Sequence, residues 1–191
     1  MKKIIIALLL IFNVSLFAIQ GNDIKHSMDI KIHKALQILK NKKNTTEEKA
    51  QKIFKIFDEM FDYNLMARLS LGKKEWMNID NNQRKKYVDN FIRLLKESFI
   101  EKLKLYNNQQ IKIEDFLQTR SSRAILKTSI VDKKDKTEVD YKFYHSRKRG
   151  WIIYDVIVAG VSIIQSYRKQ FADILQNNNF DKFLKSMKKT S

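Results

Sequence analysis

Apolar positions Ile32, Ala35, Leu36 and Leu39 recur at three-to-four spacing, which predicts an amphipathic helix ending near Asn41. Thr45 and Glu48 stand at the spacing of a capping box, in which a hydroxyl and a carboxylate satisfy the first free amides of a helix. Ala50, Ile53, Phe54, Phe57, Met60 and Phe61 then continue one apolar stripe along that second helix. A short helical stretch over 64–71 meets Gly72, which suits a left-handed C-terminal turn, and Trp76 follows in a further brief turn. Asp80 with Gln83 repeats the capping signature and opens the longest predicted helix. Tyr87, Phe91, Leu94, Leu95, Phe99, Leu103 and Tyr106 mark its buried face, and at about 1.5 Å per residue it runs on the order of 40 Å.

Beyond Ile111 the period changes. Ile125, Leu126, Ile130 and Val131 form a β-rich run, 132–136 is a polar turn, and the second arm alternates, so a hairpin is predicted. Val139, Tyr141 and Phe143 fall on one face of that arm and Glu138, Asp140, Lys142 and Tyr144 on the other, which leaves one face dry. In 151–159 the residues Ile152, Ile153, Val156, Ile157 and Val158 leave almost no polar face, the pattern of a strand covered on both sides. Gly160 precedes a helix carrying Val161, Ile164, Tyr167, Phe171 and Leu175, and a tail helix is expected around 180–187. The order predicts an α+β fold: N-terminal helices, a curved antiparallel β-sheet of about four strands, and C-terminal helices, with the helices on one face of the sheet.

Lys2 and Lys3 precede the apolar run 4–12 and then Val14, Ser15, Leu16, Phe17 and Ala18. This is the layout of a cleavable signal peptide over residues 1–18, and the run is shorter than the roughly 20 residues that span a bilayer as a helix. The expectation is an exported chain whose residues 19–191 form a single domain. With no cysteine, its stability must come from packing. The formal net charge of +17 favours an anionic partner, and export argues against nucleic acid among the anions that such a field attracts.

Little in the sequence points to catalysis. There is no thiol nucleophile, and four separated glycines build no phosphate-cradling loop. His26, His33 and His145 match no metal-binding spacing. Asp155 is a carboxylate within an apolar strand and needs a partner if buried as an ion. Arg68, Arg168 or the first turn of the helix after Gly160 are the candidates. Ser162 and Ser166 lack the glycine-flanked turn and histidine partner of an esterase. No catalytic residue, metal or cofactor is therefore expected.

Residues 150–171 read GWIIYDVIVAGVSIIQSYRKQF. This resembles the signature of the MlaC (toluene-tolerance) family: a tryptophan, an aspartate after an aromatic, Gly-Val-Ser, then Tyr-Arg and a phenylalanine. Residues 61–76, FDYNLMARLSLGKKEW, are similar to the family's segment of aromatic, Met-Ala-Arg, Leu-Gly and tryptophan. Residues 83–103, QRKKYVDNFIRLLKESFIEKL, fit its long helix. Ala159 departs from the pattern, since many relatives carry an acidic residue before the glycine.

The resemblance implies a periplasmic phospholipid carrier. It would move lipid between an outer-membrane lipoprotein complex and an inner-membrane ABC transporter complex, and so maintain outer-membrane lipid asymmetry. A carrier must enclose the tails, because exposing about thirty methylenes at roughly 0.8 kcal/mol each costs more than about 20 kcal/mol. The expected site is a hydrophobic cavity between sheet and helices, near or above the ~1,000 Å³ top of the usual ligand range. Its walls would be Phe91, Leu94, Leu95, Phe99 and Leu103 from the long helix, and Tyr141, Phe143, Ile153, Val156 and Val158 from the sheet. Arg68, Asp155 and Arg168 are structural or head-group candidates. The competing reading is a basic periplasmic interaction module with a filled core and no lipid cavity.

Overall fold

The computed structural model describes residues 21–133 and 135–189; the expected signal peptide over 1–18 lies outside them. Helix α1 (Gly21–Lys40) leads to α2 (Thr46–Phe57), a 3-10 turn (Asp58–Met60), α3 (Tyr63–Leu71), α4 (Lys73–Asn78) and the long α5 (Asn81–Leu103). Strands β1 (Gln110–Arg120), β2 (Arg123–Asp132), β3 (Asp135–Ser146), β4 (Gly150–Val158) and β5 (Val161–Ser162) follow, then α6 (Ile163–Gln176) and α7 (Phe180–Lys189). The sheet is an antiparallel meander in the order β1-β2-β3-β4-β5, so the fold is α+β as expected. The fifth strand, not anticipated, is only two residues long and doubles back on β4.

Both capping boxes are formed: Thr45 with Glu48 starts α2, and Asp80 with Gln83 starts α5. Gly72 ends α3 at φ 89°, a backbone conformation that side chains disfavour, and its amide donates to the Arg68 carbonyl. At the β4–β5 turn Ala159 and Gly160 both have positive φ, 48° and 79°. Two such residues in succession give the turn the twist of a tight hairpin.

The apolar residues divide between two main bodies. In one, α3, α5, α6 and α7 enclose an aromatic core of Tyr87, Phe91, Phe171 and Phe183, all at most 2 % exposed. Tyr87 and Ser70 share a buried hydroxyl contact at 2.7 Å, which satisfies the one polar end of that core. In the other, α1 lays Ile24, Met28 and Ile32 on the inner face of the sheet. The long helix is not the element that covers the sheet: α5 packs against α2, α3 and α7. Both helices have an apolar stripe, and which of them meets the sheet is decided by long-range packing.

Candidate functional site

The strand registers place three rows of side chains across the inner face of the sheet. Ile113, Thr128, Val139 and Val158 form one row; Phe116, Leu126, Tyr141 and Val156 the next; Gln118, Ala124, Phe143 and Ile153 the third. Two bulges keep these rows aligned. One between Ile113 and Asp115 brings Phe116 inward, and one opposite Lys142 and Phe143 brings Val156 inward after Ile153. Without them, the one-residue slip would turn half of each strand outward.

The face is apolar throughout its centre, but it is unevenly filled. Leu126, Phe143 and Ile153 have no exposure, whereas Tyr141, between buried neighbours, and Phe116, on the border strand, stay half-buried. Ile111, Ile113 and Ile130 at one end of the sheet do likewise, as do Leu36, Phe57 and Met60 from the helices opposite. A close-packed core leaves few side chains of this type partly accessible when they face one another from a helix and a sheet. The arrangement is an apolar interior whose walls are in part accessible.

Thr128 donates its hydroxyl to the Val139 carbonyl at 2.8 Å. The Tyr141 hydroxyl makes no hydrogen bond among the described residues, and burial pushes its pKa up to about 12. That phenol therefore stays protonated and a donor at any ordinary pH.

The residues read from the sequence separate into two groups. Tyr141, Phe143, Ile153 and Val156 meet on the inner face, and Val158 ends its first row at 37 % exposure. The α5 residues do not join them. Phe91 belongs to the aromatic core, where Leu94 and Leu95 pack against it. Phe99 sets its ring 5.4 Å from that of Phe54 on α2, and Leu103 packs on the small cluster of Ala35, Leu39 and Ile53. The inner-face residues Ile111, Ile113 and Phe116 went unread. Their sequence signal is an alternation of two residues that the bulge then interrupts.

Asp155 is buried at 6 % exposure on the opposite face of β4. The Ser162 hydroxyl lies 3.0 and 2.8 Å from its two carboxylate oxygens, the Ile164 amide donates at 3.4 Å, and Lys142 Nζ stands 3.6 Å away. Its partners are thus the first turn of α6 and a lysine of β3, and neither arginine is among them. Arg168 donates to the Leu69 carbonyl at 2.9 Å, and Arg68 is exposed. The carboxylate ties β4 to α6.

A cleft of about 290 Å³ lies between α5, α6 and α7, lined by Leu94, Tyr167, Phe171 and Ile174 with Glu97 and Glu101 at its rim. It is at the low end of the ~300–1,000 Å³ range for small-molecule sites and is far too small for two acyl chains. Among the described residues no group of histidine, aspartate or glutamate side chains is placed to hold a metal ion, and no helix is long and apolar enough to cross a membrane.

The family model described as "MlaC protein" matches residues 30–189. The chain is similar to the Haemophilus influenzae intermembrane phospholipid transport system binding protein MlaC, at 26 % identity over 113 residues. That match covers 57 % of this chain and 53 % of the relative, so the chain spans about half the length of the curated protein it matches. Its fold is similar to the crystal structure of a phospholipid-binding protein from Ralstonia solanacearum in complex with a phospholipid. The TM-score is 0.73 at 19 % identity, over 86 % of this chain and 94 % of that one.

Proposed function

Because the chain belongs to the MlaC family, we propose that it is a phospholipid carrier that takes up lipid between the inner face of its sheet and the helices opposite. The observation that carries this reading is the partly accessible apolar face, on which Tyr141 stays half-buried between the buried Leu126, Val156, Val139 and Phe143. Room beside an apolar wall is costly for a lone protein, since each lost contact weakens packing, and acyl chains would restore it. The fold shared with a protein that holds a phospholipid supports the same reading.

The tails would lie against Tyr141, Phe143, Ile153 and Val156, the sheet half of the expected set. Phe99 and Leu103 would bound the space only from its helical side, while Phe91, Leu94 and Leu95 hold the helical core. Nothing in the buried constellation calls for a reaction, because Asp155 is fully engaged in joining β4 to α6. We assign the carrier to the periplasm, reached by the leader over 1–18. Its proposed partners are an inner-membrane ABC lipid transporter complex and an outer-membrane lipoprotein complex, in a route that maintains outer-membrane lipid asymmetry. Without Lys2 and Lys3 of the leader the formal net charge falls from +17 to +15, which suits encounters with anionic surfaces or partners along that route.

The test is native mass spectrometry of the protein purified from periplasm without detergent, followed by denaturing extraction. A stoichiometric phospholipid is the expected result. A protein that arrives free of lipid and takes up none from vesicles would overturn the carrier reading in favour of a basic interaction module.

A further inference from the structure

Tyr141 occupies the middle row of the inner face, with Leu126 and Val156 beside it on the neighbouring strands and Val139 and Phe143 before and after it on the same face of β3. The other hydroxyl of these three rows, that of Thr128, is satisfied by the Val139 carbonyl. The phenol has no such acceptor among the described residues, and burial raises its pKa to about 12. Of the hydroxyls without a partner among the described residues only that of Tyr106 is sealed from solvent, so the Tyr141 phenol is accessible and open to an acceptor that enters beside the face. An acceptor that arrives with the ligand accounts for the tyrosine.

The surroundings define that acceptor. A phosphate is unsuited, because none of the four flanking side chains is a cation and a bare anion there would be strongly disfavoured. An acyl chain by itself has no acceptor. A neutral carbonyl satisfies both conditions. Its depth fits as well: Val158, paired with Val139, is 37 % exposed and marks the surface end of the ladder. Tyr141 lies two residues further in along β3, about 7 Å at about 3.4 Å per residue. A glycerophospholipid with its phosphate at that end brings its ester carbonyls one glycerol unit below, beside the phenol, and its chains on to Phe143 and Ile153.

We propose that the Tyr141 hydroxyl donates a hydrogen bond to an ester carbonyl of the bound lipid, so that the protein prefers acyl-ester over ether-linked glycerophospholipids. This rests on the carrier reading. The experiment compares uptake of a diacyl phosphatidylglycerol and its dialkyl ether counterpart of equal chain length, by the wild-type protein and by Tyr141→Phe. The wild type should bind the ester about three- to tenfold more tightly, the range of one neutral hydrogen bond. Tyr141→Phe should lose this preference by weakening for the ester alone, with an unchanged thermal midpoint. Equal binding of both lipids by the wild type would overturn the proposal while leaving the carrier reading intact. So would an equal loss for both lipids in the variant, which would show the ring to matter and its hydroxyl not. A wild type that binds neither lipid would overturn the carrier reading itself.

Discussion

Arg168 reaches from α6 to the end of α3 and donates its Nε–H to the Leu69 carbonyl at 2.9 Å. The last carbonyls of a helix have no partner of their own, and this contact supplies one beside the positive-φ Gly72, whose position would put a Cβ 3.9 Å from the same Nε. Arg168→Ala is expected to lower stability by about 1–2 kcal/mol, as for a charged hydrogen bond. Lipid uptake by the folded variant should be unchanged. Denaturant titration checks the first expectation; uptake from vesicles checks the second, and a selective loss of uptake would make Arg168 a head-group contact after all.

The room proposed beside the inner face is testable by filling it. Enlarging a side chain in a packed core costs about 1–3 kcal/mol. Ile130→Trp enlarges a half-buried residue of the face, so it should leave the thermal midpoint nearly unchanged and reduce lipid occupancy in native mass spectrometry. Phe143→Trp, at a position with no exposure, should lower the midpoint clearly. Equal destabilisation by both would mean that the face is filled in the free protein.

Tyr106 has a buried hydroxyl without a partner among the described residues, and burial holds its pKa above the ordinary value. It packs on the small cluster of Ala35, Leu39 and Ile53, beside Leu103. Tyr106→Phe keeps the ring and removes the orphaned group, so it should stabilise the protein by about 1 kcal/mol in denaturant titration. A loss of stability would reveal a bonded hydroxyl.

Acid should weaken the fold through specific carboxylates. The Ser129 hydroxyl at 2.5 Å and Lys136 at 3.1 Å hold the Glu114 carboxyl below its ordinary value of 4.5; hydrogen bonds likewise lower Glu48 and Glu59. A carboxyl lowered in the folded state contributes stability above its unfolded pKa, and that contribution disappears as pH falls through the folded value. The thermal midpoint should therefore decline below about pH 4.5, and more gently in Glu114→Gln. Identical acid limbs for the two proteins would show that Glu114 takes no part.

The local signals in the chain were the legible ones. Thr45 with Glu48 and Asp80 with Gln83 announce their helices because a cap is made within four residues. Val139, Tyr141 and Phe143 announce their shared face because no bulge interrupts it. β1 was hidden for the opposite reason: the shift between Ile113 and Asp115 breaks the alternation just where a reader of period two needs it. Of the candidate site, the shared face of the sheet residues was legible and the helix opposite it was not. The sheet residues came from the pattern of their own strands. Assigning Phe91, Leu94 and Leu95 to the same wall required knowing which amphipathic helix lies on the sheet, and a stripe on one helix carries no information about its partner. The apolar strand around Asp155 signals a need for partners if it is buried as an ion, but the lysine that faces it comes from the neighbouring strand, through a register that no local spacing encodes.

The borders of the sheet bear on how such a protein survives among others. On the β4 side, Phe61 and Asp62 bind alongside Ile153 and β5 folds back over the strand's end, which leaves β1 as the border with free backbone groups among the described residues. β1 is bent by two irregularities and carries Lys112, Glu114, Asp115 and Arg120. A kinked, charged margin is a poor template for a foreign strand. A carrier of the kind proposed would thus take on cargo without also offering a seam along which copies would polymerise.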